Sequence, residues 1–152
     1  MAGVLIACVF GLTAWKVAWA TTPQGFALSN IIGPVTMEEV YTKSKIGDHE
    51  ATIKTKGTSD IYVSTITIQP GGHGGWHSHP GPSIIMVKSG EATIYDACHD
   101  PVSQHVYGAG TAFVEDAECV HIVQNEGTSV LEIVVLQIVP AGAPRRIDES
   151  AP

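Results

Sequence analysis

The chain has 152 residues, of which 44% are apolar and 15% charged, and a formal charge of −7. That length and apolar content suit one folded domain with its own core and argue against a disordered chain. A negative balance with no basic cluster argues against nucleic acid and anionic membrane surfaces as partners.

Val4 to Trp15 form an apolar run interrupted only by Gly11 and Thr13, and Ala18-Trp19-Ala20 supplies small residues at the positions a signal peptidase reads. Residues 1–20 therefore read as a secretory signal peptide cleaved after Ala20, although Met1-Ala2-Gly3 carries no cation. An uncleaved anchor is the alternative, but the run falls short of the about 20 residues that a spanning helix needs. Cleavage removes Cys8 and Lys16 and takes the formal charge from −7 to −8. The product is expected to be secreted or periplasmic, without a membrane segment. Two cysteines remain, Cys98 and Cys119. They read either as one disulfide, which an oxidising compartment would permit, or as two separate buried thiols.

Residues 21–50 read as an N-terminal extension. Pro34 breaks any early helix, and Thr36 to Lys45 fits one helical turn or an edge strand. From Ala51 the pattern is that of strands. Ile61 to Gln69 is rich in Ile, Val, Thr and Tyr, and Pro70-Gly71-Gly72 ends it. Ser83 to Lys88, Glu91 to Tyr95, His105 to Tyr107, Thr111 to Val114 and Val120 to Gln124 follow, separated by Gly-containing or polar loops. Val130 to Val139 is the longest apolar run, and Pro140 stops it. Residues 141–152 form a Pro-, Ala- and charge-rich tail expected to fray. Many short strands with Gly/Pro turns predict an all-β sandwich or barrel over residues 51–140.

The chemistry concentrates in Gly71-Gly72-His73-Gly74-Gly75-Trp76-His77-Ser78-His79-Pro80. Side chains two apart on a strand share a face, so His77 and His79 project together. His121, on a distant strand, can supply a third imidazole. Neutral imidazole suits iron, zinc, copper and nickel better than magnesium or calcium. Phosphate-loop, dinucleotide-binding, nucleophile-elbow, HExxH and CxxC motifs do not occur.

Those residues resemble the two motifs of the cupin superfamily. Gly71, His77, His79 and Gly90 match the first motif, G-(x)5-H-x-H-(x)3–4-E-(x)6-G. Gly110, His121 and Asn125 match the second, G-(x)5-P-x-G-(x)2-H-(x)3-N. Three positions depart: Ser83 stands where the motif has Glu, Asp116 where it has Pro, and Glu118 where it has Gly. The resemblance implies a jelly-roll barrel, the double-stranded β-helix, with a metal inside it on three His and one Glu. With Ser83 in the Glu position, the ligand set expected here is His77, His79 and His121 alone, completed by water or substrate. The ion would be a divalent transition metal, iron first, with zinc, manganese, copper or nickel as the others. Three neutral ligands would leave its charge uncompensated, favouring an anionic or bidentate substrate.

Around these ligands, Ser83, His73 and Asn125 are candidates to support them from behind. His73 reads as a proton shuttle or a rim histidine, and Asn125 as a partner of its own turn or of the His121 region. Glu115 and Glu118 could replace the missing carboxylate, but turn residues at a barrel mouth are expected to face water. His99 and His105 read as solvated. The resemblance extends to three-histidine dioxygenases, so the first expectation is an exported mononuclear metal enzyme acting on a small molecule. The alternative is a non-catalytic cupin that binds a metal or small ligand. A homodimer through edge strands is a further implication of the resemblance.

Overall fold

The computed structural model describes residues 20–98 and 101–152. The expected signal peptide lies outside the described residues except for Ala20, and His99 lies outside them too. Among the described residues there is no helix, and every regular element is a strand.

The strands are β1 (Gln24–Met37), β2 (Tyr41–Ile46), β3 (His49–Lys54), β4 (Ser59–His73), β5 (His77–Ser78) and β6 (Ser83–Ser89). They continue as β7 (Glu91–Asp96), β8 (Ser103–Gly108), β9 (Ala112–Glu115), β10 (His121–Gln124), β11 (Leu131–Pro140) and β12 (Ile147–Asp148). Ten of them form one sheet with the path β12-β5-β10-β4-β11-β6-β9, to which β1 adds beside β4, and β7 with β8 beside β10. This sheet curls into a nearly closed barrel. The hairpin β2–β3 forms a separate two-stranded sheet, exposed throughout. The segment after Pro34 is thus strand, not a helical turn.

The apolar run of β11 pairs with β4 on one side and β6 on the other. Its buried residues alternate as Leu131, Ile133, Val135, Gln137 and Val139. That period of two puts one face into the barrel. Ser83, Ile85 and Val87 of β6 point the same way, while Ile84 and Met86 face out. With Ile68, Ala92, Ile94 and Val123 they make the core. Three polar side chains interrupt this lining at one level. Gln137 stands opposite Ser83, and Ser83 opposite Glu115, across β11, β6 and β9. All three are buried.

Both chain ends depart from expectation. The barrel sheet draws on residues outside 51–140, since β1 runs antiparallel to β4 along most of its length. The tail does not fray. Ile147 pairs with Ser78 and Asp148 with His77. Glu149 N donates to the Trp76 carbonyl at 3.0 Å, and Ser78 Oγ donates to Glu149 Oε1 at 3.0 Å. β12 thus ends the sheet path and covers the edge of β5, next to the histidines, that would otherwise be open.

Glu118 shows how the turn before β10 survives without the motif glycine. It holds φ at 61°, the left-handed conformation, and its N–H donates to the His79 carbonyl at 2.7 Å. A non-glycine residue in that region costs about 1–2 kcal/mol. Glu118→Gly is therefore expected to raise stability by about 1 kcal/mol, read as a higher urea midpoint with an unchanged slope.

A candidate metal centre at one end of the barrel

His77 and His121 face each other as a registered pair on β5 and β10. His79 follows His77 by two residues, and the ring centroids lie 4.4 to 5.2 Å apart. All three residues are buried, and their ligating atoms fall within 4.8 Å of one another. The sequence spacing therefore does bring these three side chains together.

Backbone carbonyls fix the orientation of each ring. His77 Nδ1 is 2.7 Å from the Gly75 carbonyl, His79 Nδ1 is 2.7 Å from the Arg145 carbonyl, and His121 Nδ1 is 2.9 Å from the Cys119 carbonyl. A carbonyl only accepts, so Nδ1 of His77 and of His121 carries the proton and donates it; His79 Nδ1 meets the Arg145 carbonyl at the shorter distance and the Gln137 amide nitrogen, itself a donor, at 3.2 Å. Nε2 of His77 and of His121 is then left with a lone pair, the tautomer a metal ligand needs. His121 Nε2 is sealed from solvent and has no hydrogen-bond partner.

Beside the three histidines lies Glu115. Its side chain is buried, with Oε2 3.4 Å from His79 Nε2 and Oε1 3.4 Å from His121 Nε2. It sits on β9 directly opposite Ser83, so the neighbouring strand supplies the carboxylate that Ser83 lacks. Glu115 ends β9 inside the barrel and not in a solvated turn. Lone pairs and a carboxylate brought this close repel one another unless a cation lies among them. Two donors bound to one ion at about 2.1 Å, with tetrahedral to octahedral angles, lie roughly 3.0–3.4 Å apart. The 3.4 Å separations meet that condition. His77, His79 and His121 could thus hold a divalent ion, with the Glu115 carboxylate beside two of them. The carboxylate also removes part of the uncompensated charge expected from three neutral ligands.

The other candidates divide. Ser83 is fully buried and accepts from Gln137 Nε2 at 3.4 Å. Arg145 donates to Gln137 Oε1 through Nε at 2.8 Å and Nη2 at 2.6 Å, which fixes the direction of the amide. Ser83 therefore supports the layer beside His79 but is not one of the converging groups. Asn125 is bound up in its own turn. Its Nδ2 donates to the Ile68 and Ser129 carbonyls at 2.8 Å each, and its Oδ1 accepts from Gly127 N. His73 turns away and accepts the Gly75 N–H on Nδ1 at 3.1 Å. Cys98 and Cys119 are joined as a disulfide with Cα atoms 5.5 Å apart. Cys119 thus has no thiolate to offer, and its carbonyl orients His121 from a cross-linked turn.

Gln137, Arg145 and Arg146 were not singled out from the sequence. Gln137 carried a signal, being the one polar residue at inward parity within β11. The arginines lie in the tail, whose docking depends on pairing with β5. Ending the chain after Ala143 would remove the Arg145 carbonyl behind His79. Loss of such a support is expected to weaken divalent-ion binding about 10- to 100-fold, measured by competition with a chelator.

Burial holds the His77 imidazole far below its ordinary range, from 6.5 to about 2, and the positive potentials of His121, Arg146 and His79 add to the effect. An unfolded His77 takes up a proton below about pH 6.5, whereas the folded one does not. Its contribution to stability is therefore present above pH 6.5 and lost progressively as the pH falls toward 2. The metal-free protein should accordingly show a lower urea midpoint at pH 5 than at pH 7.5, and His77→Asn should flatten that difference.

A cavity of about 220 Å³ opens onto His77, His79 and Glu115. Its walls are largely apolar, with Phe26, Ile66, Ile85, Val123 and Val135 among them, and Arg145 and Arg146 line it as well.

Residues 64–137 match the family model described as the Cupin domain. A search of curated proteins finds no match. Solved structures share the fold at low identity. The Cupin domain of an XRE family transcriptional regulator from Enterobacter cloacae is 12% identical, with a TM-score of 0.51, over 80% of this chain and 100% of that one. Oxalate oxidase in complex with the substrate analogue glycolate is 24% identical, with a TM-score of 0.51, over 58% of this chain and 45% of that one. A DMSP lyase is 21% identical, with a TM-score of 0.51, over 60% of this chain and 45% of that one. The chain thus spans less than half the length of these two enzymes. The converging histidines, the barrel that holds them and the matched model agree, and residues 64–137 form a domain of the cupin superfamily.

Proposed function

We propose that this chain is an exported metal-dependent enzyme of the dioxygenase type. It binds one divalent ion, iron by preference, through His77, His79, His121 and Glu115. One observation carries the reading. Three imidazole nitrogens and a carboxylate meet in a buried place at the end of an apolar cavity. An ion held there supplies Lewis acidity and, as iron, redox chemistry with O2. The protein's part is to orient the ligands through three carbonyls, to hold a small substrate against apolar walls, and to limit water. Four protein donors leave room on an ion that takes five or six. The Cys98–Cys119 disulfide supports the exported reading, because such bonds persist outside reducing compartments.

The test is anaerobic reconstitution with ferrous ion, followed by O2 uptake with a panel of small thiols, diketones, aromatic diols and carboxylic acids. Ion-dependent uptake with at least one compound, absent in His121→Ala, is the expected result. A bound ion with no uptake across the panel would instead favour the non-catalytic cupin.

A further inference from the structure

We infer that the substrate is a small molecule with an apolar, ring-sized body and a single polar head, and that Gly74 sets the size of that body. The inference rests on the functional reading above and names the substrate class for the same site. The cavity places its polar groups unevenly. Gln137 has its oxygen taken by Arg145, and its amide nitrogen is turned to Ser83 and the Arg145 carbonyl. Arg145 also donates to Asn30 and Ser64 and stacks over the Tyr62 ring at 4.3 Å. Arg146 is held by Asp148, and its Nη2 is sealed from solvent. Among the described residues around the cavity, that leaves the cluster of His77, His79 and Glu115 to receive a polar group.

The rest of the wall is hydrocarbon, with Phe26, Ile66, Ile85, Val123, Ile133 and Val135 among its residues. A second polar group on the ligand would lose water there and find no partner. An apolar cavity of about 150 Å³ takes up benzene. The 220 Å³ available here suits one ring with a short substituent. Gly74 keeps part of that volume open next to His77. A Cβ on Gly74 would stand 3.6 Å from His77 Cε1 and 3.8 Å from Phe26 Cε2, touching both rings. Its φ lies outside the left-handed region, and its N–H donates to the Val123 carbonyl at 2.9 Å. The backbone therefore does not demand glycine at this position, whereas an open cavity beside His77 does.

The first probes are benzene and pyrazine, which share size and shape but differ in two ring nitrogens. Binding is measured by calorimetry to the metal-free full chain, and benzene is expected to bind at least about fivefold more tightly. The second pair is benzoate and isonicotinate, measured on the chain loaded with zinc. These carry the same head and differ in one distal ring nitrogen, and benzoate is expected to lead by at least about fivefold as well. Gly74→Ala should weaken benzene by more than about threefold, because the methyl takes up cavity space. A smaller factor in either pair, or a smaller loss in a folded Gly74→Ala chain, overturns the assignment. The benzene pair decides alone if the alanine variant does not fold. A chain that takes up no ion yet keeps the benzene preference would refute the metal centre and not the substrate class. A chain that binds its ion and shows no preference for the apolar ring would do the reverse.

Discussion

Glu115→Gln is expected to lower affinity for a divalent ion roughly 100-fold, while Ser83→Ala leaves it within about threefold. Position in the motif would suggest the opposite, since Ser83 occupies the place of the family's carboxylate. Geometry decides between them. Glu115 reaches two imidazole nitrogens at 3.4 Å, whereas the Ser83 hydroxyl reaches the Gln137 amide. Four-ligand zinc sites bind with an apparent 10–16 kcal/mol, so each donor is worth about 2.5–4 kcal/mol. An amide in place of the Glu115 carboxylate would keep the shape but not the charge. Competition with a graded series of chelators reads both variants. Equal affinities for Glu115→Gln and the unmutated chain would remove Glu115 from the site.

Gly81→Ala is expected to destabilise the fold by about 3 kcal/mol or more. Gly81 sits buried between β5 and β6, where a Cβ would collide with the Ile138 carbonyl oxygen of β11. Backbone on both sides cannot rotate away as a side chain would. The strain should pass to His79 two residues earlier, so ion affinity should fall together with the urea midpoint. Gly108→Ala is the control, because nothing lies within 4 Å of a Cβ there. Indistinguishable midpoints for the two variants would show that β11 and the Gly81 turn can separate freely.

Strand parity and spacing were enough to single out the three histidines, and the strand pattern to predict an all-β sandwich or barrel, whereas the choice of barrel came from the resemblance. The parity of His77 and His79 is local, and the turn residues around them are strong signals. Glu115 is different, because what makes it a site residue is the register of β9 against β6. A shift of one residue in that pairing would send its carboxylate to the outer face. The tail illustrates a second limit. Pro, Ala and charge read as fraying, yet residues 145–149 cover the open edge of β5 and orient His79. Edge coverage depends on which strand ends the sheet, and local composition does not report that. Glu118 is the converse case. Its left-handed φ keeps the turn that the motif assigns to glycine, so the departure changed little in the backbone.

The most direct measurement is the ion-to-protein ratio after metal-free chain is dialysed against a limiting divalent ion and freed of excess. For the unmutated chain one ion per chain is predicted, and for His77→Ala and His121→Ala a ratio near zero under the same conditions. A ratio near zero for the unmutated chain, or one per chain in both histidine variants, would contradict the metal centre.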